Sequence, residues 1–136
     1  MMHINTYSTG FIGIFLMCLS TISIADEFTP DDLQRWEGEY MSAVKEGRSL
    51  WTDPKLGSNG VACAQCHPNA ANTHPETYPK FQKQLGKVAA ITEMINWCIR
   101  NPLEGQPLAV DSKAMTAMQA YIVYERRGVK LEPGKH

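Results

Sequence analysis

The sequence has no surplus of positive charge and no repeated or low-complexity segment. Its 136 residues include 13 Lys and Arg against 14 Asp and Glu, and the formal net charge is −1. A nucleic-acid-binding protein or a polybasic membrane-surface protein would carry a clear positive excess, so both classes are disfavoured. The length suits one domain.

An apolar segment long enough to span a bilayer is also missing. The uncharged stretch from Phe11 to Ile24 is shorter than the roughly 20 residues of a transmembrane helix. It is followed by Ala25, and Ser23 and Ala25 are the small residues that a signal peptidase reads. We therefore predict that residues 1–25 are a signal peptide, that the protein is periplasmic or otherwise exported, and that no membrane span is left after cleavage. Because no Lys or Arg precedes the stretch, an uncleaved anchor is the alternative.

No run in the rest of the chain alternates clearly between apolar and polar residues, so no β-strand is predicted. Thr29 and Pro30 are typical of a helix start, as a cap and a first helical residue. Apolar residues follow at helical spacing and predict a buried stripe: Leu33, Trp36, Tyr40 and Val44. Gly47 is expected to interrupt this helix before Trp51 closes it.

Two further helices are predicted downstream. The first follows Gly86, ends at Asn101-Pro102 because a residue before proline disfavours the helical region, and has one apolar face made of Val88, Ile91, Ile95 and Cys98. The second starts at Asp111-Ser112 and ends near Gly128, with Met115, Met118 and Ile122 facing one way. Gly47 and Tyr121 are expected to mark the crossing of the first and last helices.

The chain contains a single Cys-x-x-Cys-His motif, formed by Cys63, Cys66 and His67. Two thiols at this spacing form thioether links to the haem vinyl groups, and the adjacent histidine is the proximal iron ligand. A thioredoxin-like pair would follow a strand, and a zinc site would need a second pair of ligands, which Cys98 and His74 form poorly. We predict one covalent haem c and an all-α, single cytochrome c-like domain of three to five helices over residues 26–136.

The second axial ligand of the iron is left open by spacing alone. The candidates are the remaining sulfur and imidazole side chains, namely Cys98, Met94, Met115, Met118 and His74, or no ligand at all. Met115 and Met118 have the spacing of core residues in the last helix. His74 lies only a few residues past His67, so that reaching the other haem face is awkward.

Several segments resemble the cytochrome domains of sulfur-oxidation enzymes. Besides the haem motif, they are the stretch from Gly47 to Trp51, the run Ile95-Asn96-Trp97-Cys98-Ile99-Arg100-Asn101, Gly105 to Leu108, Asp111-Ser112, and Met115, Met118 and Ala120 to Ile122. Together they are similar to thiosulfate dehydrogenase and to the haem subunit of the thiosulfate-oxidising Sox complex. The resemblance implies that Cys98 is the distal haem ligand, with Met94 as the alternative.

A thiolate ligand donates charge to the iron and implies a low reduction potential. The thiosulfate dehydrogenases carry a second haem and the Sox subunit works with a haem-bearing partner, whereas this chain has one motif. We therefore expect an electron-transfer protein or subunit whose redox partner is another protein, for example a second c-type cytochrome. The alternatives are a thiosulfate-oxidising enzyme subunit in which Cys98 handles sulfur, and a cytochrome that binds CO or NO.

Several basic residues lie close to Cys98 in the sequence or in or near the loops expected around the haem. Arg48, Lys80, Lys83 and Arg100 are either solvated surface residues or, for Arg48 and Arg100, partners of a haem propionate or of an anionic substrate. Trp51 and Trp97 are expected to be core residues or walls of the haem cavity rather than electron relays.

Overall fold

The computed structural model describes residues 28–130, which form four α-helices and one small hairpin. Helix α1 spans Pro30–Thr52, α2 Cys63–Cys66, α3 Ile91–Arg100 and α4 Lys113–Arg126. Two 3-10 turns, Pro68–Ala70 and Pro75–Thr77, follow α2, and the antiparallel strands β1 (Lys80–Gln82) and β2 (Lys87–Ala89) precede α3. The predicted all-α class with three to five helices is confirmed. The predicted signal peptide lies outside the described residues, and none of the helices within 28–130 is long and apolar enough to cross a membrane.

The prediction of no strand was wrong for the hairpin. Each strand has only three residues, and alternation over so short a run is not visible in a sequence. Gly86, at a φ of +66°, forms the turn, and its N–H donates to the carbonyl of Gln82 at 2.8 Å. Along β1 the side chains alternate, so that Phe81 points to solvent while Lys80 and Gln82 are partly buried.

The start of α1 agrees with the sequence. The Thr29 hydroxyl accepts a hydrogen bond from the Asp32 N–H at 3.2 Å, and the Asp32 carboxylate accepts one from the Thr29 N–H at 3.2 Å. This reciprocal pair satisfies backbone donors that a helix leaves free in its first turn. Pro30 occupies the first turn, where a missing N–H costs nothing.

The predicted buried stripe on α1 was largely wrong. Val44 is buried, but Leu33, Trp36 and Tyr40 are 55%, 40% and 42% exposed. The reason is length, since α1 has 23 residues and α4, the helix it packs against, has 14. At 1.5 Å per residue the two helices differ by about 13 Å, and the first turns of α1 extend past the end of α4. Apolar periodicity marks a face but does not show how far the neighbouring helix reaches.

Gly47 does not interrupt α1, which continues to Thr52, but it does mark the crossing with α4 as predicted. A Cβ atom at Gly47 would lie 2.0 Å from the carbonyl oxygen of Ala117 and 2.7 Å from the Cβ of Tyr121. These distances are far inside van der Waals contact, so only glycine allows the two backbones to approach this closely.

Replacing Gly47 with alanine is expected to lower the free energy of unfolding by about 1–3 kcal/mol, as overpacking does. The loss should occur although alanine has a helix propensity about 1 kcal/mol better than that of glycine. Gly38 in the same helix is the matched control, because a Cβ there would have no heavy atom within 4 Å. Gly38→Ala should leave stability unchanged or raise it by up to about 1 kcal/mol in denaturant titrations of the haem-loaded protein. Equal effects of the two variants would contradict the close crossing.

The core joins α1, α3 and α4. Its fully buried side chains include Ile99, Met115, Met118, Tyr121 and Ile122. Met115 and Met118 are thus core residues, as their helical spacing predicted. Helix α3 begins at Ile91 rather than just after Gly86, so Val88 lies on β2 and is 64% exposed instead of lying on the apolar face of the helix.

Asn96 connects α3 to the loop that leads to α4. Its amide nitrogen donates to the carbonyl of Leu108 at 2.8 Å, and its amide oxygen accepts from the N–H of Leu108 at 2.8 Å. The side chain is buried, and it satisfies both backbone groups of one loop residue. In the sequence, Asn96 stands out only as part of the run that resembles the sulfur-oxidation cytochromes.

We expect Asn96→Ala to lower the free energy of unfolding by about 2–3 kcal/mol, because two backbone groups of Leu108 lose their partner. Asn101→Ala is the control, since the Asn101 amide donates to the Trp97 carbonyl at 2.8 Å but is exposed to solvent. That variant should change stability by no more than about 0.5 kcal/mol. Denaturant titrations of both variants measure these changes. Equal shifts of the midpoint in Asn96→Ala and Asn101→Ala would contradict the role of Asn96.

Candidate haem site

A cavity of about 360 Å³ lies between α2, the hairpin, α3 and α4. This volume is within the range of small-molecule and cofactor sites. Its apolar wall includes Trp51, Ile91, Ile95, Trp97, Leu103 and Met118, and its polar or reactive side chains include Cys63, Cys66, His67, Tyr78, Lys80, Gln82 and Cys98. The two tryptophans therefore form part of the cavity wall, as predicted.

The one-turn helix α2 carries both cysteines of the motif. Cys63 and Cys66 lie at its first and last residues, and the N–H of His67 donates to the Cys63 carbonyl at 2.9 Å to close the turn. Residues three apart on a helix lie on one side, so both thiols lie at the cavity. Cys63 is buried and Cys66 is exposed, which makes the two attachment points unequal.

His67 is fixed in the tautomer that a metal ligand needs. Its Nδ1 lies 2.9 Å from the carbonyl oxygen of Ala71. A carbonyl oxygen only accepts, so in the neutral imidazole Nδ1 carries the proton and Nε2 has the free lone pair. Such a hydrogen bond to the second ring nitrogen is the usual way that proteins orient an imidazole ligand and raise its basicity.

Trp51 holds the backbone of His67. Its indole Nε1 donates to the His67 carbonyl at 2.9 Å, and its ring centroid lies 5.7 Å from that of Tyr121. Trp51 is buried, so the hydrogen bond is shielded from water. The last turn of α1 therefore positions the histidine, and this contact joins residues 16 apart in the chain.

Helix α3 brings a third cysteine to the cavity. Met94, Trp97 and Cys98 lie at helical spacing on the face that lines it. Burial raises the pKa of the Cys98 thiol to about 11, and the nearby Cys66 adds to the shift. Burial likewise raises the pKa of Cys63 to about 11, with Cys98 as the next cause. A thiolate at Cys98 therefore requires a neighbouring cation, and a ferric iron is a cation of this kind.

The other ligand candidates differ in position. Met118 lines the cavity from α4, whereas Met115 is buried in the core away from it. His74 is buried outside the cavity lining, and its Nδ1 is 3.1 Å from the Glu76 carboxylate. Met94 and Cys98 both line the cavity from one face of α3, so both remain in a position to reach the iron.

The segment that leads into β1, and β1 itself, also line the cavity. Tyr78, which precedes β1, lines the cavity together with Lys80 and Gln82 on β1. The spacing of two between Lys80 and Gln82 is the alternation of a strand too short to be predicted from the sequence. Arg48 and Arg100 are exposed and are not among the lining residues, so neither forms part of the cavity wall. The basic side chain at the cavity is Lys80, on β1, and not Arg48 on α1 or Arg100 on α3.

This donor set fits a haem c. Two thiols one helical turn apart, an adjacent imidazole with its Nε2 free, and a further thiol from α3 are the groups that covalent attachment and two axial positions require. The apolar wall suits the macrocycle, and none of Cys63, Cys66 and Cys98 is disulfide-bonded to another cysteine of the described region.

Comparisons with known proteins agree with this chemistry. The family described as "SoxA/TsdA, cytochrome c domain" matches residues 46–131. The thiosulfate dehydrogenase of Psychrobacter arcticus is 31% identical over 116 residues, which cover 75% of this chain and 34% of the relative. The L-cysteine S-thiosulfotransferase subunit SoxA of Rhodovulum sulfidophilum is 33% identical over 110 residues, which cover 75% and 38%.

The crystal structure of SoxXA from P. pantotrophus has the same fold, with a TM-score of 0.61 at 24% identity over 75% of this chain and 40% of that chain. The chain thus spans between a third and two fifths of the length of these relatives. The predicted c-type cytochrome with covalent haem c, iron and an electron-transfer role is confirmed, as is the resemblance stated above. The chain belongs to the SoxA/TsdA cytochrome c domain family.

Proposed function

We propose that this chain is an exported monohaem cytochrome that transfers electrons at low potential during the oxidation of sulfur compounds. In this proposal Cys63 and Cys66 hold the haem, His67 is the proximal iron ligand and Cys98 the distal one. The observation that carries it is that two separate helices bring all four side chains to one cavity, with the His67 tautomer already fixed.

Each residue has a distinct task. Haem c supplies a one-electron couple between ferric and ferrous iron. The Ala71 carbonyl and the Trp51 indole orient His67, so that little rearrangement accompanies electron transfer. The Cys98 thiolate donates charge and favours the oxidised state, which lowers the potential. The apolar wall excludes water and strengthens these electrostatic effects.

The names of the relatives support the link to sulfur. They are a thiosulfate dehydrogenase and a subunit of an L-cysteine S-thiosulfotransferase. The second is a subunit by name, which supports a partner protein for this chain too, with another c-type cytochrome as the expected redox partner. Residues 1–25 support export to the periplasm, where such a partner would be found.

A redox titration of the purified haem-loaded protein tests the proposal. We expect a reversible one-electron transition below 0 V against hydrogen, and a ferric low-spin signal in electron paramagnetic resonance. Thiosulfate alone should leave the ferric spectrum unchanged under anaerobic conditions. A potential well above zero would contradict the low-potential assignment.

A second candidate function is that of an enzyme subunit in which Cys98 reacts with the sulfur substrate. It is favoured by the names of the relatives and by the position of Cys98 at the cavity rather than in the core. Reduction of the haem by thiosulfate alone, lost in Cys98→Ala, would establish this role in place of the carrier. Rapid CO binding to the ferrous protein would instead indicate a ligand-binding cytochrome.

A further inference from the structure

Lys80 is a cation at the edge of an otherwise largely apolar cavity. It lies on β1 with its side chain at the cavity, between Tyr78 and Gln82. Its Nζ is 4.7 Å from the centre of the Tyr78 ring, and the Gln82 amide donates to the Tyr78 hydroxyl. Asn72, Thr73 and Gln84 also line the cavity, so one side of it is polar while the side formed by α3 and α4 is apolar.

Lys80 has no carboxylate within ion-pair distance among residues 28–130. Glu76 attracts it electrostatically, but the Glu76 carboxylate already binds Nδ1 of His74 at 3.1 Å. The side chain is partly buried, and burial lowers the pKa of Lys80. A partly buried ammonium with no carboxylate at ion-pair distance is stabilised by an added anion, so the site favours a bound anion.

We propose that Lys80 pairs with a propionate carboxylate of the haem, and that the polar wall from Tyr78 to Gln84 holds the propionate edge. The inference rests on the proposed haem attachment at Cys63, Cys66 and His67. A haem c brings two carboxylates into this cavity, and Lys80 is the cation on its wall. Arg48 and Arg100, the partners that the sequence suggested, are exposed and outside the lining.

The pairing predicts an effect on the redox equilibrium. A positive charge beside the macrocycle favours the ferrous state, which carries one positive charge less than the ferric state. Removing it should favour the ferric state. Because Lys80 is partly buried, added salt should screen its effect much less than the effect of an exposed lysine.

The experiment compares Lys80→Gln with Lys83→Gln in the haem-loaded protein. Lys83 lies three residues further along the hairpin and is exposed, and it does not line the cavity. At one applied potential we expect Lys80→Gln to lower the ratio of ferrous to ferric protein by three- to tenfold, at both low and high salt. A tenfold change equals 59 mV for a one-electron couple. Lys83→Gln should have a smaller effect that disappears at high salt, and Lys80→Arg should retain the wild-type ratio.

Equal and salt-sensitive shifts for Lys80→Gln and Lys83→Gln would overturn the pairing. The pairing would also be overturned if sulfate shifted the potential of the wild type but not that of Lys80→Gln. Lys80 would then bind a free anion. Haem staining of each variant in a denaturing gel distinguishes failure of the Lys80 pairing from failure of the proposed haem attachment. Loss of stain would mean that attachment failed, whereas retained stain without a Lys80-specific shift contradicts the pairing alone.

Discussion

Cys98→Met should raise the midpoint potential of the haem-loaded protein by about 0.1 V or more, within the roughly 0.8 V that axial ligands span. Methionine sulfur is neutral and donates less charge to the iron than a thiolate does, so the ferrous state becomes more favourable. Cys98 lines the cavity from α3, and methionine can follow the same path because its chain is unbranched and flexible. A redox titration measures the shift, and the ferric spectrum should gain the far-red band of sulfur–iron charge transfer that methionine ligation produces.

Met94→Leu is the matched control for this prediction. Met94 lies on the same face of α3 and lines the same cavity. Leucine is similar in volume and cannot bind iron, so the potential and the low-spin signal should stay as in the wild type. If instead Met94→Leu abolishes the low-spin signal and Cys98→Met leaves it unchanged, Met94 is the distal ligand and the assignment of Cys98 is wrong.

The double variant Cys63→Ala/Cys66→Ala should lose all covalently bound haem. In the proposed attachment each thiol forms one thioether link, and both thiols lie on the single turn α2 beside His67. A denaturing gel stained for haem should show a strong band for the wild type and none for the double variant. The protein should also be less stable, because a group bound only by the folded state stabilises it by mass action.

Single variants and Cys98→Ala complete this test. Cys63→Ala and Cys66→Ala should each retain one link and a weaker band. Cys63→Ala should be the more destabilising of the two, because the Cys63 side chain is buried and that of Cys66 is exposed. Cys98→Ala should keep full covalent staining, because the proposal gives Cys98 an axial position and no thioether link. Covalent haem in the double variant, or its loss in Cys98→Ala, would contradict the assigned roles.

The haem motif was predictable because it is local. Cys63, Cys66 and His67 are close in sequence, and one helical turn brings their side chains to one side in almost any fold. The starts of α1 and α4 were predictable for the same reason, since Thr29 and Ser112 cap their helices through residues three positions later.

The environment of His67 was not predictable in the same way. The Trp51 indole and the Ala71 carbonyl satisfy the backbone and ring of His67 through hydrogen bonds that give no periodic signal in a sequence. Lys80 was expected near the haem, but its place in the cavity wall was not predictable, because a strand of three residues is set by its pairing with β2 and not by its own pattern. Propensity and spacing describe a segment alone, and these features depend on its neighbours.

The sequence by itself determined the cofactor class, the all-α fold and the identity of the sulfur and imidazole groups available to iron. Those properties depend on residue type and on spacing within one or two helical turns. Only the tertiary structure decided which of these groups share a cavity, how deeply α1 is buried, and that Lys80 rather than Arg48 or Arg100 lies at the cavity. The physical reason is that burial and charge pairing arise from contacts between segments far apart in the chain, such as that of Gly47 with Ala117.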